Sequence, residues 1–300
     1  MRHTLTKNLF LALAFLPGRL AAQHPSDYNV GRGQYPRINA DKSVTFKINA
    51  PEAKSIILDC GKPYEMTKDP EGMWTVTTDP MVEGFHYYSL NVGGLAVADP
   101  STNTFFGMSR YASAIEVNED PDQADFYLPK TGVPQGAVRS VKFYSSLCGE
   151  YRRLYVYTPA EYSQNSSKRY PVLYIFHGAR GNETAWVIKG NILHLTDSLY
   201  AKGALDPFIL VMPNMNQYSD DADMGNSRFK QPLEAIFETD GAVETGFVHD
   251  VVGTVDSLFR TIPDKKHRAI SGLSLGGLQS IFISANHPDA ILIILLIDER

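Results

Sequence analysis

Arg268-Ala-Ile-Ser-Gly-Leu-Ser-Leu-Gly-Gly277, followed by Leu278-Gln-Ser-Ile-Phe-Ile-Ser-Ala-Asn286, is the stretch whose reading decides the fold. A short apolar run enters it, the pentapeptide from Gly272 to Gly276 turns the chain, and an apolar-periodic segment leaves it. The order reads as strand, sharp turn and helix, stopped by Pro288. Gly-x-Ser-x-Gly at such a junction predicts a nucleophile elbow: the serine occupies a strained turn, and side chains at the flanking glycine positions would collide. Ser274 is the candidate nucleophile, with Gly272 and Gly276 as elbow glycines. The competing reading is a glycine-rich strand-to-helix turn without chemistry. An apolar strand ending on the first glycine, and a Gly276-Gly277 pair that lets the helix pack closely, favour the elbow.

Working outward, Val172-Leu-Tyr-Ile-Phe176 and Phe208-Ile-Leu-Val-Met212 are continuous apolar runs of the kind buried parallel strands show. A helix is predicted over 191–202, with Ile192, Leu195, Leu199 and Tyr200 on compatible faces, and another from Phe247 to Phe259. Residues 214–245 between them are polar and Asp-rich. Ile291 to Ile297 reads as one more buried strand, and Ala137–Tyr144 with Arg152–Tyr157 as an antiparallel opening pair. Strands alternating with helices predict an α/β domain over residues 137–300 with a largely parallel sheet.

Residues 23–118 have a different texture. Short strands at Val44–Ile48, Ser55–Leu58, Met73–Thr77, Phe85–Val92 and Leu95–Val97 are separated by Ala50-Pro51, Asp69-Pro-Glu-Gly72, Asp79-Pro80 and Gly93-Gly94. That spacing predicts a β-sandwich, with a hairpin at the Gly-Gly pair, and Asp99-Pro-Ser-Thr-Asn103 leading out of its last clear strand. Tyr64, Trp74, Tyr87 and Tyr88 could stack on sugar rings or fill the sandwich core; alternation within strands favours the core. Residues 119–136, acidic and turn-rich, read as a linker.

Residues 1–22 have a secretory layout: Arg2 and Lys7, an apolar core from Leu9 to Leu16, and the exit Leu20-Ala-Ala-Gln23. Cleavage after Ala22 would remove three cations and no acid, moving the formal charge from −5 to −8. The expectation is a secreted or periplasmic protein with no membrane anchor and no electrostatic case for nucleic acid. Cys60 and Cys148 could form a disulfide in such a compartment, but two buried thiols in separate domains are the expectation.

Serine acyl transfer needs a base, a carboxylate to orient it, and two N–H donors for the oxyanion. The N–H of Leu275, next after the nucleophile, is one candidate donor. The second falls in Phe176-His-Gly-Ala-Arg-Gly181, where Ala179 is nominated with Gly178 as the near alternative. His177 reads as shaping that loop rather than as the base, while His249 and His287, both on helices, read as structural or exposed. No spacing resembles a zinc site, a P-loop or a dinucleotide fingerprint, so neither metal nor cofactor is implied.

Arg169-Tyr-Pro-Val-Leu-Tyr-Ile-Phe-His-Gly178, Asn182-Glu-Thr-Ala-Trp186, Pro207-Phe-Ile-Leu-Val-Met-Pro-Asn214 and the elbow stretch together resemble the putative-esterase family. Its secreted members include feruloyl and acetyl-xylan esterases, some of them modules of bacterial xylanases. The resemblance spans roughly residues 30 to 290. It implies an α/β-hydrolase fold preceded by an immunoglobulin-like sandwich, Ser274 as nucleophile, Leu275 and the Gly178-Ala179 loop as oxyanion hole, and an ester side group of a plant polysaccharide as substrate. Related siderophore-ester hydrolases, and a non-catalytic glycan-binding protein, are the alternatives. The family follows its elbow helix with further strands that bear the acid and then the histidine. Only 26 residues follow Ser274 here, and His287 is their sole histidine. The expectation is therefore an incomplete, C-terminally truncated hydrolase domain without activity.

Overall fold

A computed structural model of the chain describes residues 24–107, 110–118, 130–146, 149–216, 241–291 and, for the backbone alone, 293–297. The predicted leader, most of the predicted linker and Cys148 lie outside the described residues.

Residues 24–117 form two antiparallel sheets around one core. The first sheet joins His24–Pro25, Arg37–Ile38, Val44–Asn49, Met73–Thr77 and Thr67–Lys68 in that order. The second joins Thr104–Gly107, Arg110–Val117, Gly84–Val92, Ile56–Asp59 and Pro63–Glu65, with Leu95–Val97 folded back on Gly84–Val92. Alternation sends Val44, Phe46 and Ile48 inward from one sheet to meet Ile56, Leu58, Tyr88 and Leu90 from the other. Val92 faces Leu95 across Gly93 and Gly94, both at positive φ, as a tight hairpin requires.

Asp99–Asn103 leads out of Leu95–Val97 as the sequence suggests, but it turns back into the same half. Buried Asp99 accepts hydrogen bonds from Tyr88 Oη (2.8 Å) and the Ser101 N–H, and two further strands follow it. They are hard to read because Ala112, Ser113 and Ala114 are small and all buried, which erases the alternation. Of the four aromatics singled out, Trp74 and Tyr88 fill the core, while Tyr64 and Tyr87 are half-buried at its margins. Cys60 is free and buried, and burial raises its thiol pKa to about 12.

The second half carries a six-stranded sheet. Its strands are β1 (Ala137–Ser145), β2 (Glu150–Thr158), β3 (Val172–Phe176), β4 (Ile209–Pro213), β5 (Arg268–Leu273) and β6 (Ile293–Ile297), in spatial order β1-β2-β4-β3-β5-β6. β1, β2 and β4 pair antiparallel, and β4, β3, β5 and β6 pair parallel. One face packs Val156, Val172, Tyr174, Val211 and Ile270 against Phe247, Val251 and Val255 of helix α2 (residues 242–258) and Ile283 of helix α3 (Leu275–Asn286). The other packs Tyr157, Ile175, Leu210 and Met212 against helix α1 (Ile192–Ala201). Burial on both faces is why β3 and β4 are apolar throughout.

Two predicted boundaries shift. Helix α2 begins at Ala242, inside the stretch read as polar, and passes through a π-helical segment at Phe247–Val252. Helix α3 begins at Leu275, three residues earlier than its hydrophobic periodicity suggests, because glycines carry no periodicity.

The two halves meet at Lys189. Its ammonium donates to Tyr87 Oη (2.6 Å) and to the Phe106 carbonyl (3.0 Å), and burial lowers its pKa to about 8. Among the described residues no helix is long and apolar enough to cross a membrane.

Candidate active site

The carboxyl ends of the parallel strands, where open α/β sheets bind ligands, bring the elbow and the loop after β3 together. Strand β5 ends at Leu273 and α3 starts at Leu275, leaving Ser274 between them at φ 52°, ψ −114° with its side chain exposed. An L-residue in that conformation is strained by ~1–3 kcal/mol.

Contact explains the flanking glycines. A Cβ on Gly272 would lie 2.2 Å from the Gly276 carbonyl carbon, and one on Gly276 would lie 2.6 Å from the His177 carbonyl oxygen. The strand, the helix and the end of β3 therefore approach at backbone distance, which fixes the serine hydroxyl at the top of the sheet. Ser274 O accepts from the N–H groups of Gly277 (2.9 Å) and Leu278 (3.2 Å). The Leu275 N–H precedes the first helical bond and, like any opening helix donor, has no intrahelical acceptor. It stands beside the hydroxyl at the positive end of a 12-residue helix.

Phe176 pairs with Gly272 in parallel register, so the 177–181 loop starts level with the elbow. The Gly178 carbonyl turns into that loop and accepts from His177 Nδ1 (2.8 Å) and the Gly181 N–H (3.1 Å). In a trans peptide the C=O and the following N–H point oppositely, so the Ala179 N–H is aimed out of the loop. It meets no acceptor among the described residues. The position Gly178 would give a Cβ is 3.4 Å from the Leu273 carbonyl, which places this peptide against the elbow strand.

His177 is almost wholly buried, and its Nε2 accepts the Met215 N–H at 3.0 Å. Nδ1 therefore carries the proton and donates to Gly178. Burial holds the imidazole pKa down to about 4, with the positive charges of Lys189 and Arg152 adding to the effect. Both ring nitrogens are committed to backbone, so this ring is a prop for the loop. His249 is exposed on α2, and His287 caps the far end of α3, about 20 Å from Ser274 at 1.5 Å per residue. Among the described residues no three His, Cys, Asp or Glu side chains converge as a metal site would require.

Several residues not nominated for the site hold this geometry. Asn216 Nδ2 donates to the Gly181 carbonyl (2.9 Å), and Trp186 Nε1 to the Phe176 carbonyl (3.1 Å). Gln279, one turn into α3, donates from Nε2 to the Met215 carbonyl (2.9 Å) and to buried Glu244 of α2 (3.2 Å). Buried Glu183 accepts from Arg153 Nε. Only Glu183 and Trp186 carried a signal, as part of Asn182-Glu-Thr-Ala-Trp186. Asn216 and Gln279 belong to no quoted motif, and their bonds to backbone carbonyls leave no pattern in sequence.

The strain at Ser274 has a measurable consequence. Ser274→Gly should raise stability by about 1 kcal/mol in urea unfolding, because glycine takes a positive φ without strain. An unchanged or lowered midpoint would count against a strained serine.

Residues 145–292 match the family model described as "Putative esterase". A curated relative from Xylanibacter ruminicola, named an endo-1,4-beta-xylanase/feruloyl esterase, is 34% identical over 274 residues, covering 88% of this chain and 36% of the relative. An endo-1,4-beta-xylanase Y from Acetivibrio thermocellus is 26% identical over 205 residues, 64% of this chain and 16% of that protein. The chain thus spans about a third or less of the curated relatives it matches. Among solved structures, an enterochelin esterase from Shigella flexneri superposes with a TM-score of 0.60 at 15% identity, covering 85% of this chain and 69% of its own. That likeness establishes the fold. The match spans the elbow and the loop after β3, and residues 145–292 therefore form a domain of the putative-esterase family.

Proposed function

We propose that Ser274 is the nucleophile of a serine esterase site for ester side groups, feruloyl or acetyl, on a plant polysaccharide such as arabinoxylan. The single observation that supports the chemistry is the strained, exposed Ser274, which is followed by the Leu275 N–H and lies next to a strand end level with the loop that holds the Ala179 N–H. These two donors suit the oxyanion of a tetrahedral intermediate, with Gly178 supplying the close approach. The relative named as a xylanase/feruloyl esterase supports the substrate class. Residues 23–118 are read as an immunoglobulin-like domain, 119–136 as linker and 137–300 as the α/β-hydrolase domain.

Among the described residues no histidine is placed to act as base to Ser274. His177 is committed to backbone, and His287 stands at the wrong end of its helix. A serine hydroxyl without a hydrogen-bonded base is a weak nucleophile near neutral pH. This chain therefore binds its ester and turns it over near the background rate.

Substrate class is tested by binding. In saturation-transfer NMR the purified chain should contact the aromatic ring of methyl ferulate. A second reading, a catechol-type siderophore ester, is favoured by the fold likeness extending over 85% of the chain. A dihydroxybenzoyl-serine ester that binds while methyl ferulate does not would replace the first reading with the second. The proposed route is export with cleavage after Ala22. Mass spectrometry should find Gln23 as the first residue of exported protein, and an intact Met1 on that material would contradict it.

A further inference from the structure

The hairpin of β1 and β2 carries the feature that the acyl-transfer chemistry does not use. Tyr144 and Tyr151 are directly opposed across the two strands, with ring centroids 5.3 Å apart in an edge-to-face arrangement. Both are conspicuously exposed, at 55% and 63%. Along the same sheet face the opposed pairs run Val138–Tyr157, Ser140–Tyr155, Lys142–Arg153 and then Tyr144–Tyr151, so the buried apolar layer under α1 passes into an uncovered aromatic end.

That end is the active-site end. Leu154 of β2 is level with Pro213, the last residue of β4, so Tyr151 projects beyond the carboxyl ends of the parallel strands. The adjoining Arg153 donates to Glu183, just past the oxyanion loop, and its carbonyl accepts from the Asn214 N–H. Three strand spacings separate β2 from β5 and four separate β1 from it. At about 4.8 Å each, the two rings stand about 15–20 Å across the sheet from Ser274.

We propose that Tyr144 and Tyr151 form a subsite for the sugar chain that carries the ester, with a ring face packing on the CH face of a pyranose. The occupant is a neutral polysaccharide rather than a second protein. The patch is two amphipathic rings, each with a polar tip, beside Lys142 and the Arg153–Glu183 pair, and so suits a hydroxylated ligand with small apolar faces. It is also continuous with the candidate active site, at a spacing that suits a polymer rather than a small ester. The inference rests on the polysaccharide-ester reading, and its test is independent of turnover.

The experiment is affinity gel electrophoresis in soluble arabinoxylan, followed by titration calorimetry with xylo-oligosaccharides, on the full chain bearing Ser274→Ala. The parent should be retarded, and the Tyr144→Ala/Tyr151→Ala variant should bind about tenfold or more weakly. Tyr151→Phe, which keeps the ring, should bind like the parent. Tyr144→Leu, which keeps an apolar residue in the strand, guards against misfolding in the alanine variant and should also weaken binding. Equal retardation of parent and both weakening variants would overturn the proposal, and so would a parent that does not bind. So would a parent dimer that the alanine variant turns into a monomer, because the rings would then serve self-association. Failure of the ester reading shows separately, as sugar binding that persists while methyl ferulate is not bound.

Discussion

Gly272→Ala is expected to abolish the folded hydrolase half, and Gly276→Ala to come close to doing so. A Cβ at 272 would sit 2.2 Å and 2.3 Å from the carbonyl carbon and oxygen of Gly276, and one at 276 would sit 2.6–2.9 Å from His177 O, Phe176 Cβ and Phe176 O. All but Phe176 Cβ are backbone atoms, in the first turn of α3 or at the end of β3, so relief requires moving α3 off the sheet rather than turning a rotamer. Such a movement would open the contacts of Ile283 and Leu275, both buried. Overpacking of a well-filled core costs ~1–3 kcal/mol, and a clash with immovable backbone belongs at or beyond the ~4–5 kcal/mol end. A margin of ~5–15 kcal/mol leaves little after that. Gly253 is the control, since a Cβ there meets nothing within 4 Å and it lies within helical residues. Gly253→Ala should stabilise by about 0.5–1 kcal/mol. Urea unfolding of the three variants checks both signs, and a Gly272→Ala chain as stable as the parent would contradict the packing at the elbow.

Acidification should loosen the 177–181 loop through His177. The folded imidazole has its pKa lowered from 6.5 to about 4, chiefly by burial. Because the folded value is the lower one, the unfolded chain takes up a proton between pH 6.5 and 4 that the native ring refuses. The stability associated with the neutral ring is present in full above pH 6.5 and is lost progressively as pH falls toward 4. The shift corresponds to ~3 kcal/mol at the bottom of the window. Protonation of Nε2 would also replace the Met215 N–H···Nε2 bond with two opposed donors, releasing the turn that holds the Gly178 carbonyl inward. His177→Gln offers an acceptor without an ionisable ring. Its unfolding free energy should fall by about 3 kcal/mol less than that of the parent between pH 7 and pH 4. Equal losses in the two proteins would mean that His177 titrates normally in the native state.

The sequence is most legible where one residue type answers one physical demand. The elbow reads from Gly272, Ser274 and Gly276 because close backbone approach admits only glycine, and β3 and β4 read from continuous apolar runs because both faces are covered. Arg110–Val117 escapes notice because its small residues are buried on both faces. Two props of the 177–181 loop are equally hidden. Asn216 and Gln279 each bind a main-chain carbonyl brought near by folding, and a polar side chain bonded to backbone looks in sequence like one bonded to water. His177 is legible as a residue of the loop through its place at the end of an apolar strand. Its tautomer follows only from the position of Met215, 38 residues away.

The central claim is that Ser274 stands in a strained elbow with no histidine base among the described residues. The most direct test is turnover of methyl ferulate, with fluorophosphonate labelling, by the purified chain and by Ser274→Ala. The account predicts that the two proteins hydrolyse the ester at indistinguishable rates near background and that Ser274 labels no faster than an ordinary surface serine. Rapid turnover with labelling at Ser274, both lost in Ser274→Ala, would contradict it by showing that an imidazole within this chain reaches the hydroxyl.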